Sequence, residues 1–164
     1  MQSECRNNPP TEQSALTRIA IIFLLFCQLS FAEEKTYGDI IVDRVTTIYD
    51  GDTFYVTVKK WPEIIGKNIA VRVKAVDTPE LKGACYAEIL KAREAKKFTV
   101  ELIRSAKKVE LRNMSRDKYF RIDAEVYLDN QNLADALIQQ GFGVAYSGGK
   151  KIDWCVTNKA RKSS

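Results

Sequence analysis

The stretch "AVRVKAVDTPE", residues 70–80, decides the fold. Its first half alternates: Val71, Val73 and Ala75 fall on one face of an extended chain, Arg72 and Lys74 on the other. That is the period-2 pattern of a half-buried strand. Its second half packs two carboxylates and a proline into five positions. Asp77 stays in phase with Val71, Val73 and Ala75, so the strand carries a carboxylate on its core side. The plainest reading of residues 78–80 is a helix start, with Thr78 as N-cap, Pro79 at the first helical position and Glu80 in the first turn. Whether a cap suffices depends on what the rest of the chain supplies.

Upstream, residues 40–49 are rich in β-branched residues and read as a strand. "DGD" at 50–52 punctuates. Residues 53–59 alternate, with Phe54, Val56 and Val58 opposed to Tyr55, Thr57 and Lys59. A loop with Pro62 and Gly66 leads into the strand at 70–76, completing a three-strand meander. Downstream the period changes. From Ala87 to about Ala106, Ala95, Phe98, Leu102 and Ile103 share one helical stripe. Residues 108–111 read as a fourth strand and 121–128 as a fifth, with Ile122, Ala124, Val126 and Leu128 on one face. Asp129 and Asn130 turn the chain into a helix at 132–140, stopped by Gly141. Five short strands, with one helix after the third and another after the fifth, predict an α+β fold that is mainly β. The expected architecture is a five-stranded Greek-key barrel of the OB type with two to three packed helices.

The 164 residues suffice for one domain with a real core. A net charge of +5 favours an anionic partner, nucleic acid or a membrane surface, without selecting one. The chain has no histidine. The commonest general base and the commonest metal ligand are therefore missing. Catalysis near neutral pH would fall to carboxylates, Lys, Tyr, Cys or a metal-bound water.

The first 32 residues differ from the rest. A polar leader with Arg6 and Arg18 precedes a wholly apolar run from Ile19 to Cys27. The run is about half the roughly 20 residues of a transmembrane helix and suits the core of a signal peptide. Small residues at Ser30 and Ala32 place cleavage after Ala32, giving a signal peptide at 1–32 and a mature domain at 33–164 with a short basic tail. A buried helix and a membrane anchor are the alternatives. Export to the periplasm or the medium is the expectation. The mature chain keeps Cys85 and Cys155. In an exported protein such a pair reads as one disulfide; the alternative is two buried thiols. A loop of about 70 residues closed in this way is worth roughly 4 kcal/mol in chain entropy.

Asp50 and Asp52 flank Gly51, which a hairpin turn alone would explain. Asp52, however, is in phase with Phe54, Val56 and Val58. Two carboxylates aimed inward at strand ends, Asp52 and Asp77, cost several kcal/mol unless a cation meets them. A hard divalent cation would do so. Arg72 and Arg121 lie on the faces opposite the apolar rows, where solvated strand arginines are ordinary. Beside a metal they would form a clamp for a phosphodiester, and the phase puts that clamp and the aspartates on different faces of a barrel rim.

"DGDT" at 50–53, "VRVKAVDTPE" at 71–80 and "DKYFR" at 117–121, in that order and spacing, resemble the signature of the staphylococcal (thermonuclease-type) nuclease family over roughly residues 40–146. The resemblance implies an OB-fold enzyme that cleaves DNA and RNA with Ca²⁺. By it, Asp52 and Asp77 are the metal-binding aspartates and Thr78 lends its backbone carbonyl. Glu80 is the general base or water-orienting group, and Arg72 and Arg121 hold the scissile phosphate. Lys118 and Tyr119 lie near a terminal phosphate of the bound nucleotide, and Tyr146 stacks on a base. Phe120 departs from the glycine of the reference member, and the family's terminal helix is expected to be short or absent here. The function implied is an exported Ca²⁺-dependent endonuclease, expected to be a monomer acting on DNA or RNA with no stable protein partner. The alternatives are a catalytically silent nucleic-acid-binding module and, more distantly, a structural Ca²⁺-binding domain.

Overall fold

The computed structural model describes residues 35–156. The signal peptide expected at 1–32, the cleavage expected after Ala32 and the last residues of the tail lie outside the described residues. In chain order the elements are β1 (Ile40–Ile41), β2 (Arg44–Ile48), β3 (Thr53–Thr57), α1 (Glu63–Gly66), β4 (Ile69–Val73), β5 (Val76–Asp77), α2 (Tyr86–Ser105), β6 (Val109–Arg116), β7 (Ile122–Leu128), β8 (Gln131–Asn132), α3 (Leu133–Gln139) and β9 (Val144–Ala145).

The main sheet runs β1-β6-β7-β4-β3-β2, with β8 on β7. Its pairs are antiparallel except β4 with β7. β1 and β2 are the two halves of the strand expected at 40–49. The chain changes partner between adjacent residues: Val42 N donates to Val109 O on β6, and Asp43 N donates to Thr57 O beside β3. One kinked strand thus serves both edges of the sheet and curls it into an OB-fold-like barrel. The two edges of an open sheet would otherwise expose unpaired backbone.

The alternation-based core is found in place. Phe54, Val56, Val71, Ala124 and Val126 are fully buried, with Leu111, Leu133 and Leu137 around them. α2 buries Ala92, Ala95, Thr99 and Ile103, and its Phe98 meets Phe142 with ring centroids 5.2 Å apart. α3 starts as its sequence predicts: the Asn132 side chain accepts from Ala134 N and Asp135 N.

Two strand bounds are corrected, and the helix-cap reading of residues 78–80 is excluded. The strand at 70–76 ends at Val73, because Ala75 turns the chain with φ +64° and is exposed. Val76 and Asp77 then form a separate strand against β9. Asp77 is buried as expected, but by this second pairing and not by continuous alternation. The fourth strand, expected at 108–111, continues to Arg116. A bulge between Arg112 and Ser115, with Asn113 at φ +49°, sets the buried Leu111 and Met114 three positions apart and hides the period. Thr78 does not cap a helix. α2 starts at Tyr86 after Cys85, and residues 78–85 form a loop whose Glu80 N and Ala84 N donate to the Glu88 carboxylate.

Candidate active site

The site begins at the DGD turn. Tyr49 N and Asp50 N both donate to Thr53 O, closing the hairpin between β2 and β3. α2 lies across this turn. Thr99 Oγ1 donates to Gly51 O at 2.7 Å, and a Cβ on Gly51 would stand 3.0 Å from Ala95 Cβ and from Thr78 Oγ1. A glycine lets the helix and the 77–80 segment close on the turn together without displacing these side chains.

Asp52 is 1% exposed and fully engaged. Thr78 N and Thr78 Oγ1 each donate to its Oδ2 at 3.0 Å, Thr53 Oγ1 donates to its Oδ1 at 3.0 Å, and Arg72 Nη1 forms an ion pair with Oδ1. Asp77, equally buried, accepts from Trp154 Nε1 at 3.3 Å on Oδ2. Its Oδ1 makes no hydrogen bond, with Lys151 Nζ 2.9 Å away and Arg72 Nη2 at 3.6 Å. Arg72 Nη2 also donates to Val76 O. The expectation that Arg72 and the aspartates occupy different faces is therefore corrected. The Cα partner of Arg72 across the sheet is Thr53, so Asp52 sits in the turn beyond the pleat, within reach of the guanidinium.

The electrostatics are those of a crowded anionic pocket. Asp50, 4% exposed, accepts from Asp52 N at 3.1 Å. Burial, and then the neighbouring Asp52 carboxylate, push its carboxyl up to about 7. Burial works against the charge of Arg72, but Asp52 and Asp77 overcome it and raise its affinity for its proton. Lys151 is raised in the same way, against burial, by Glu80 at 2.7 Å and by Asp77. Hard oxygen donors, buried carboxylates that draw in the Arg72 and Lys151 cations and a neighbour driven toward protonation fit a divalent cation. Asp52 and Asp77 are the residues that would hold it, the ion taking the place that the Arg72 and Lys151 charges now fill beside them. Thr78 contributes its N–H and hydroxyl to Asp52 here.

In front of these aspartates opens a cleft of about 520 Å³. Arg72, Glu80, Lys118, Tyr119, Arg121 and Tyr146, all candidates from the sequence, line it. Arg121 does not share a partner with Arg72. Its Nε donates to Asp117 Oδ2 at 2.7 Å. Burial would raise the Asp117 carboxyl, but hydrogen bonds from Arg121 and from Tyr119 N hold it below the usual carboxylate range. Tyr119 is exposed at the rim, with the Lys118 ammonium 5.1 Å and the Arg121 guanidinium 5.4 Å from its ring centre. Phe120 is exposed at φ +64°, a conformation that favours glycine. Tyr146 is fixed by Tyr146 N to Ala75 O and by its hydroxyl to Gly149 O. Cys85 and Cys155 form the expected disulfide.

Sequence reasoning misses Lys151, Trp154 and Asp117, and takes Asp50 for a turn residue. The tail has no periodicity, so its contacts are not legible in the sequence. A tryptophan beside a cysteine in a basic tail is the available signal.

Comparison with known proteins adds the lineage. The family described as Staphylococcal nuclease homologue matches residues 70–161. The chain is 34% identical over 115 residues to the SPbeta prophage-derived endonuclease YokF of Bacillus subtilis (strain 168), covering 68% of this chain and 36% of that protein. It is 31% identical over 131 residues to an uncharacterized endonuclease of Haemophilus influenzae, covering 80% and 63%. It is 34% identical over 116 residues to Endonuclease YncB of Bacillus subtilis, covering 69% and 51%. The chain thus spans less than two thirds of the length of each of these relatives.

Proposed function

Because this chain belongs to the staphylococcal nuclease homologue family, we propose that it is a Ca²⁺-dependent nuclease that hydrolyses phosphodiester bonds of DNA or RNA by attack of water. The observation that carries this reading is the cleft in which Arg72, Glu80 and Arg121 converge, backed by the buried Asp52 and Asp77.

Asp52 and Asp77, with the Thr78 carbonyl, would hold the ion. When bound, the ion supplies a Lewis acid for a phosphate oxygen and orders a water. The chain's own groups do the rest. Glu80 lies in the cleft with about half its side chain exposed. Its Oε1, now against Lys151 Nζ, accepts or directs the proton of the attacking water. Arg72 lines the cleft with Nη1 on Asp52 and Nη2 on the Val76 carbonyl, and brings its charge to the phosphate by turning one of these nitrogens outward. Arg121, held through Nε by Asp117, offers its terminal amino groups to the phosphate, and the two guanidinium groups neutralise charge that develops on the transferring group. Lys118 and Tyr119 meet the nucleotide at the rim and Tyr146 offers a ring to a base.

The export reading is kept as a proposal: residues 1–32 direct the chain out of the cytoplasm, and residues 33–164 act in the periplasm or the medium. The disulfide supports it, since such bonds persist in oxidising compartments.

Supercoiled plasmid and single-stranded RNA incubated with the purified protein and Ca²⁺ should be converted to shorter products. A retarded band with the nucleic acid intact would instead assign a binding module that has lost catalysis.

A further inference from the structure

Trp154 is an oddity of the tail. It stands in a tail rich in lysine, with Ile152 and Val156 exposed on either side, yet it is 5% exposed. The Lys91 ammonium of α2 stands 4.7 Å from its ring centre, and its indole N–H reaches Asp77 Oδ2 at 3.3 Å. Next to it, Cys155 is bonded to Cys85, at the N-terminus of α2, across a separation of 70 residues. The tail is thereby tied to the end of the loop that follows Asp77, Thr78 and Glu80.

An indole is a donor only. Its bond to Oδ2 fixes the plane of the Asp77 carboxylate and leaves Oδ1, which makes no hydrogen bond, as the oxygen turned toward the cationic side of the site. Removing a partner that orients a ligating group in this way typically costs about 10- to 100-fold in metal affinity. We propose that Trp154 is a positioning residue for the metal-binding carboxylate of Asp77, latched in place by the Cys85–Cys155 disulfide. The inference rests on the metal assignment above and extends it to a part of the chain that touches neither ion nor substrate.

The test measures Ca²⁺ binding directly, by calorimetry on the full chain without nucleic acid, beside a thermal melt of each variant. Trp154→Phe keeps an aromatic ring, though a smaller one, and removes the donor, the thermal melt reporting the lost packing. It should weaken Ca²⁺ binding about 10- to 100-fold, while saturating Ca²⁺ restores most of kcat. The double variant Cys85→Ser/Cys155→Ser keeps every ligand and Trp154 but releases the latch. It should also weaken Ca²⁺ binding, and adding Trp154→Phe to it should cost less than in the wild-type background, because the two changes disable one device. Wild-type affinity in a folded Trp154→Phe protein would overturn the proposal. Should Trp154→Phe fail to fold, wild-type affinity in the double cysteine variant would overturn the latch by itself. A wild-type chain that binds no Ca²⁺ would overturn the metal assignment first, and with it this inference.

Discussion

Arg121 carries its charge into the cleft already paired, with Nε on Asp117 Oδ2 and its own backbone N on Asp117 Oδ1. A fork with two roles, one to hold a loop and one to bind phosphate, cannot be replaced by a point charge. Arg121→Lys should therefore lower kcat by about 10²–10³, the typical loss of one transition-state donor, with a smaller change in KM. Steady-state kinetics on plasmid DNA decide this, and near wild-type turnover would return Arg121 to the status of a loop residue. At this scale the sequence is most readable where a motif and a phase agree. Asp52, Arg72 and Glu80 emerge from their own stretches and stand at the site. Asp117 lies in a motif yet gains no role from it, because a pairing four residues away on an irregular loop leaves no periodic trace.

Among elements, the loop 78–85 sets the geometry of the site, and a residue of α2 sets the loop. Glu88 is 7% exposed, and its two oxygens accept Glu80 N at 3.3 Å and Ala84 N at 2.8 Å. Gly83 lies so close that a Cβ there would meet the Glu88 carboxyl carbon at 2.4 Å. Glu88→Ala leaves both amides without their partner and should destabilise the fold by roughly 1–3 kcal/mol. Glu88→Gln keeps an acceptor and should cost less. Thermal melting of the two variants would check the order, and equal stability would show the loop to be held by other means. The cap-like residues 78–80 start no helix because they are taken up by Asp52 and by Glu88, and the helix begins at Tyr86, one residue before the expected Ala87. Strand lengths are obscured for a related reason. Positive-φ residues at Ala75 and Asn113 interrupt alternation in ways that residue type does not announce.

Across the whole molecule, the barrel topology is legible because alternation survives in β3 and β7, whose inward faces make up much of the core. The closure of the barrel is not, since it depends on a change of partner between Val42 and Asp43 within one apparently continuous strand. The disulfide acts at this scale too. Reduction should lower stability by roughly 4 kcal/mol through the entropy regained by the unfolded loop, read as a shift in the urea midpoint between oxidised and reduced protein. An unchanged midpoint would mean that closing the loop between Cys85 and Cys155 contributes no net stability. The central claim concerns the assembled site: a buried pair of aspartates behind a cleft of arginines needs a divalent cation to cleave phosphodiesters. The initial rate of plasmid nicking, measured in Ca²⁺ and again after a chelator has removed it, tests that claim most directly. The rate should collapse with the chelator and return when excess Ca²⁺ is added, whereas full activity in chelator would contradict the claim.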